Sequence, residues 1–139
     1  MIDRPGVLKL TIIQCSASYH HFPSVEDITK TLAFFLKPGG SLLVIDIIDP
    51  SDPLVADASS DSVVEDHLIP EKYHHIVPHT RGFTSAKIRE VFEGAGLTSF
   101  AFDKAMKAKM RETGWGFDEP KDAGLDVTFF IAKGEKASA

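Results

Sequence analysis

The sequence predicts an α/β domain built around a parallel sheet, and three observations carry that prediction. An apolar, β-rich segment at residues 7–15 (VLKLTIIQC) is followed by a helical pattern and then by a second apolar run at 41–48. That strand–helix–strand order gives parallel neighbours joined by a right-handed crossover. After a long polar connection and another helical pattern, the chain closes on two strand candidates, 97–106 and 126–132, near enough in sequence to pair antiparallel.

Each element has its own signal. The first helix starts behind Pro23 with Ser24 as N-cap and Asp27 three residues on, a capping-box arrangement. Val25, Ile28, Leu32, Phe35 and Leu36 recur at helical spacing and predict its inward face, and Pro38 with Gly39-Gly40 is expected to end it. From 49 to 82 Asp, Ser, Pro and His dominate. Only 63–69 suggests a short helix, so this stretch reads as a long connection of the kind that covers binding sites. The second helix is capped by Thr84 or Ser85, turns Ile88, Val91, Phe92 and Ala95 inward, and ends at Gly94-Ala95-Gly96. Phe100 and Phe102 share one face of the strand at 97–106. Residues 111–125, with Trp115 between two glycines, read as an exposed loop, and 134–139 as a fraying end.

Composition bounds the function. A chain of 139 residues with 43% hydrophobic and 25% charged residues fills one core. A net charge of -5 argues against nucleic acid or an anionic membrane as the main partner. The basic cluster Lys104, Lys107, Lys109 and Arg111 reads as a solvated strand end. The single cysteine, Cys15, excludes an internal disulfide, suits a reducing compartment, and lies in an apolar run as a structural thiol would. No signal peptide or membrane span is evident, which predicts a cytoplasmic protein.

Open α/β sheets bind ligands at the carboxyl ends of their strands, which places Cys15, Ser16, Ala17, Ser18, Tyr19, His20 and His21 at a candidate pocket. Histidine is the natural proton acceptor near neutral pH, so His20, His21 and His79 are the candidate catalytic groups; the alternative is that they satisfy turn backbone. No metal site is assigned. His20-His21, His67, His74-His75 and His79 do not make a rigid ligand set, because Pro78 interrupts the helical spacing of His75 and His79. Gly94-Ala95-Gly96 follows a helix rather than a strand and is a C-cap, not a dinucleotide fingerprint. Asp46 and Asp49 could pair as carboxylates, but loop capping is the simpler reading.

The run Ser18-Tyr19-His20-His21-Phe22-Pro23, a short helix, Lys37-Pro38-Gly39-Gly40 and the strand Leu42-Leu43-Val44-Ile45-Asp46-Ile47 together resemble the carboxyl-terminal half of a Rossmann-like (class I) S-adenosylmethionine-dependent methyltransferase domain of the small-molecule type. The resemblance spans 7–133 of a single partial domain, 1–139, with 49–82 over the presumed site. It implies that the strands correspond to strands four to seven of a seven-stranded sheet, the last strand antiparallel to the rest. It also implies S-adenosylmethionine as cofactor. Carried over position by position, Cys15, Ser16 and Ala17 become cofactor neighbours and Tyr19, His20 and His21 line the substrate pocket.

The glycine-rich cofactor loop that the family places earlier is not found before residue 7. The expectation is therefore a truncated methyltransferase, weakly active or inactive alone and binding the cofactor poorly. Its first strand should be an open edge with apolar faces. That edge supports an alternative from another class, a non-catalytic module that pairs with another chain or with its own copy. A His-based metal-binding domain is a weaker alternative.

Overall fold

The computed structural model describes residues 9–55, 79, 81–111, 114–116 and 125–138. Leu10–Ser16 forms β1, followed by a 3-10 turn at Tyr19–His21. Helix α1 is Val25–Phe35, β2 is Leu36–Ile47, α2 is Ser85–Gly94, and β3, β4 and β5 are Leu97–Arg111, Gly114–Gly116 and Leu125–Lys136. The sheet order is β1-β2-β5-β3-β4. β1 and β2 are parallel, while β5 inserts between β2 and β3 and runs antiparallel to both. The final long strand thus sits inside the sheet, as the family resemblance implies.

Both predicted helices form with the predicted caps. The Ser24 hydroxyl accepts from the Asp27 backbone N–H, and the Thr84 hydroxyl from that of Lys87, each satisfying a donor that has no partner within the helix. α2 buries Ile88, Val91 and Phe92. The inward face of α1 is largely the expected one, with Val25 and Leu36 buried and Ile28 and Leu32 partly buried against the core; it also takes in Thr29 and Ala33, whereas Phe35 stands 38% exposed. Thr29 escaped a purely apolar pattern because its hydroxyl is satisfied inside the fold.

The strands are longer than their apolar runs suggest. β2 begins at Leu36, so α1 ends at Phe35 and Lys37-Pro38-Gly39-Gly40 lies within the strand as an irregularity: Leu10 pairs with Leu36, Ile12 with Ser41. Gly39 has φ +80, and a Cβ on Gly40 would stand 2.9 Å from the carbonyl oxygens of Lys37 and Thr11. The motif therefore brings the β2 backbone against β1. β3 runs past 106 to Arg111, and 114–116 is a short strand paired with it rather than loop. β5 continues to Lys136, so residues 134–136 do not fray; the Lys136 ammonium donates to the Leu36 carbonyl at 2.9 Å. The proposed helix at 63–69 lies outside the described residues.

α1 and α2 pack together with one face of the sheet, where Leu42, Val44, Phe130 and Ala132 meet Tyr19, Leu36, Ile88 and Phe92. The opposite face buries Ile47, Val127 and Phe129. Alternation along β2 therefore puts Asp46 on the helix side with Leu42 and Val44. β1 pairs only with β2 among the described residues, and Leu10 and Ile12 are 45% and 60% exposed.

Candidate functional site

The parallel register sets Ser16 beside Ile45, so the chain leaving β1 must cross the carboxyl end of β2. The crossing is tight. The Ala17 N–H donates to the Ile45 carbonyl at 2.7 Å, and Ala17 adopts φ 52, a left-handed conformation unusual for a residue with a Cβ. The Ser18 hydroxyl donates to the Ser16 carbonyl at 3.1 Å. Among the described residues, no donor reaches the Ala17 carbonyl.

The turn that follows is held from three sides. From below, Tyr19 is fully buried, its hydroxyl 2.7 Å from Thr29 and its ring edge-on to Phe22 and Phe83. Burial pushes its phenol well above the usual range, against the lowering effect of the Thr29 bond. From β2, the fully buried Asp46 accepts the His20 backbone N–H at 3.2 Å on Oδ2 and contacts His20 Nδ1 at 2.9 Å through Oδ1. The Ile47 N–H also donates to Oδ1, at 2.7 Å. From the far end of the long connection, the His79 N–H donates to the His20 carbonyl at 3.3 Å and His79 Nε2 lies 2.9 Å from the Phe22 carbonyl.

The candidates therefore separate. His20, Asp46 and His79 come together around one turn, although they lie 26 and 59 positions apart along the chain. His20 is 6% exposed, while His21 is exposed, its ring centred 4.2 Å from that of His20. Cys15 is half-buried, its thiol pushed up by burial and by the Asp46 charge. Asp46 and Asp49 are not a carboxylate pair. Each caps backbone instead, as the simpler reading had it: Asp46 takes the His20 N–H of the turn and also its ring, and Asp49 takes the Ser51 N–H and hydroxyl and contacts Arg81. Burial raises the Asp49 carboxyl, but the Ser51 and Arg81 bonds outweigh it and leave it low.

What sequence reasoning missed at Asp46 is its contact with the His20 ring. The only local signal was an acid interrupting an apolar strand, which demands a buried partner. No group of three or more His, Cys, Asp and Glu among the described residues could hold a metal ion; His67, His74 and His75 lie outside them. No described helix is long and apolar enough to cross a membrane. A separate open cleft of about 480 Å³ lies between the start of α2, β3 and residues 52–54. Its polar groups are already engaged: Asp52 accepts the N–H and hydroxyl of Ser85, and Arg89 lies 5.0 Å from the Phe100 ring centre.

No protein-family model matches the sequence. The chain is 29% identical over 97 residues to an uncharacterized methyltransferase of Schizosaccharomyces pombe, covering 70% of this chain. It spans 31% of that relative's length. A solved Bacillus halodurans protein assigned as a methyltransferase superposes with a TM-score of 0.64 at 15% identity, over 97% of this chain and 68% of that one. A SAM-dependent methyltransferase of Thermotoga maritima superposes with a TM-score of 0.52 at 16% identity, over 96% and 59%. At such identities the structural likeness is one of fold.

Proposed function

We propose that this chain, which has the fold of the class I S-adenosylmethionine-dependent methyltransferases and makes up part of such a domain, forms the acceptor-side wall of a methyl-transfer site for a small molecule. The observation that carries the reading is the turn at residues 16–22, strained at Ala17 and clamped over the carboxyl end of β2 by Asp46. Ligands of open α/β sheets bind there, and left-handed non-glycine residues concentrate at functional sites.

The residues present fit one side of the cofactor. The unengaged Ala17 carbonyl and the exposed Ser16 present oxygen to a cationic ligand, with Cys15 behind them. S-adenosylmethionine supplies a methyl group on a sulfonium, electrophilic enough that the protein's task is alignment and exclusion of water. Tyr19 supports the turn from the core, and His20 and His21 form the acceptor side. The acidic net charge favours a small acceptor over nucleic acid, and a cytoplasmic location belongs to the same proposal.

One wall of a site supports only weak affinity, with a Kd of about 1 mM corresponding to about -4 kcal/mol. Titrating the 15N-labelled chain with S-adenosylmethionine should shift the amide signals of residues 15–17 in a saturable way. Signals at 15–17 that stay in place at millimolar ligand would sink the reading. Tritium transferred from labelled cofactor should pass a small-pore filter with the acceptor; tritium retained with macromolecules would overturn the acceptor size.

A second reading rests on β1, an edge strand with Leu10 and Ile12 exposed. Such an edge can add a strand from another chain or from a second copy. Size-exclusion chromatography separates the readings, since a stable monomer at high concentration counts against the pairing module.

A further inference from the structure

The cleft between α2, β3 and residues 52–54 collects groups that the methyl-transfer reading does not use. We propose that it is a binding site for a small planar aromatic carboxylate, in which the Arg89 guanidinium takes the carboxylate and the Phe100 and Phe102 rings carry the aromatic plane. The site goes beyond the methyl-transfer reading and stands without it. β3 lies three strands from β1 in the sheet, about 14 Å away at ordinary strand spacing.

The floor of the cleft is aromatic and held by the core. Phe100 and Phe102 stack at 6.3 Å with 27° between their planes. Phe102 stacks in turn on the fully buried Phe130 at 4.6 Å, and Phe100 meets the buried Phe92 edge-on at 5.4 Å. Close packing fixes both rings from behind, yet each is only partly buried. An irregularity precedes them: Thr98 opposes Glu135, Ala101 opposes Lys133, and Ser99 between them adopts φ 53. Bulges at sheet edges re-aim side chains. β3 is such an edge at this level among the described residues, since β4 pairs with it only at 109–111. At about 480 Å³ the cleft has the size of a ligand pocket.

The walls favour an anion at one point. The Arg89 guanidinium carbon lies 5.0 Å from the Phe100 ring centre, and its ion-pair partner Glu93 is 3.9 Å away, both side chains exposed. That distance is too long for a hydrogen bond. The ring contact thus engages the guanidinium's charge, while its N–H fork has no oxygen acceptor among the described residues. A guanidinium stacked on a ring is ready for bidentate binding of a carboxylate.

Asp52, the other charged group on the wall, does not compete. It is fully buried, and its oxygens accept the Leu54 N–H and both the N–H and the hydroxyl of Ser85. These bonds also tie residues 52–54 to α2, so the wall is in place before a ligand arrives. Pro53 and Leu54 line that wall and are exposed, leaving apolar surface for a ligand ring to cover.

Titrating the 15N-labelled full chain with 2-naphthoate tests the site. The expected result is saturable shifts at the amides of Leu54, Ala86, Arg89 and Phe102, with a Kd of about 1 mM or tighter, and none at residues 15–17. Two further probes separate the recognising groups. 2-Naphthamide keeps the rings without the charge and should bind about 10-fold more weakly. Decahydro-2-naphthoate keeps the charge without the flat rings and should also bind more weakly.

Arg89→Gln, at an exposed position, should weaken 2-naphthoate about 10-fold and leave 2-naphthamide unchanged. Where that variant fails to fold, the three probes on the wild-type chain still decide. Cleft signals that stay in place at millimolar 2-naphthoate overturn the proposal, as do shifts confined to 15–17. Equal affinity for 2-naphthoate and 2-naphthamide, or unchanged 2-naphthoate binding in Arg89→Gln, overturns the carboxylate role of Arg89. Equal affinity for the saturated probe overturns the aromatic one.

Discussion

The buried hydroxyl pair beneath the turn gives a double-mutant prediction whose asymmetry follows from counting protons. The Thr29 hydroxyl donates its one hydrogen to the Val25 carbonyl at 2.6 Å, so the 2.7 Å contact with Tyr19 must have the phenol as donor. Tyr19→Phe removes that donor and keeps the edge-on ring contacts with Phe22 and Phe83; Thr29 loses one accepted bond, and the cost should be about 1 kcal/mol. Thr29→Val keeps the volume but leaves the phenol O–H buried without an acceptor, which should cost about 2 kcal/mol. With both changes no unpaired donor remains, so the double variant should lose about 1 kcal/mol rather than about 3. Urea denaturation of the four proteins measures this as shifts in midpoint at constant slope. Tyr19→Phe costing more than Thr29→Val, or strict additivity, would refute the assigned direction of the bond.

Packing and charge give two further expectations. A Cβ on Gly134 would lie 2.7 Å from the Phe92 ring and 3.1 Å from the Leu97 Cβ, whereas one on Gly94 would meet nothing within 4 Å; Gly134→Ala should cost about 1–3 kcal/mol and Gly94→Ala should be neutral or stabilising by up to about 1 kcal/mol, both read by thermal unfolding. Glu26 and Lys87 join α1 to α2 at 2.6 Å, and the Lys87 bond lowers the Glu26 carboxyl below its usual range. A depressed carboxyl contributes stability above its unfolded pKa and loses it as pH falls through the folded one. Glu26→Gln should therefore cost a few tenths of a kcal/mol at pH 7, as exposed pairs do, and nothing at pH 2.5; an unchanged cost in acid would contradict the assignment.

Much of the fold was legible because local signals agree. Ser24 and Thr84 cap where their side chains meet orphan N–H groups, and the apolar runs at 41–48 and 126–132 mark the two strands that lie side by side in the sheet. The misreadings have a common origin in long-range pairing. Lys37-Pro38-Gly39-Gly40 has turn composition, yet it is strand because β1 holds Leu36 on one side of the irregularity and Ser41 on the other. The stretch at 134–136 looks like a polar tail, but Gly134 packs against Phe92 and Lys136 binds the Leu36 carbonyl. Phe35 fits the apolar stripe of α1 and still stands 38% exposed, its ring edge-on to Phe34, while Thr29, polar by composition, is buried with Tyr19 as its partner.

For the site, the sequence by itself placed the candidate: a strand ending near Ser16, then a helix and a parallel strand, puts residues 16–22 at the carboxyl ends of the strands, where open α/β sheets bind ligands. It named His20, His21 and His79 without ranking them, because hydrogen-bond partners leave no periodic trace. Only the tertiary structure decided that Asp46, 26 residues away, closes on the His20 backbone and ring, that His79 spends Nε2 on the Phe22 carbonyl, and that His21 stays outside. The physical reason is the crossover connection, which sets the carboxyl ends of β1 and β2 side by side and lets a buried carboxylate find its donors across the sheet.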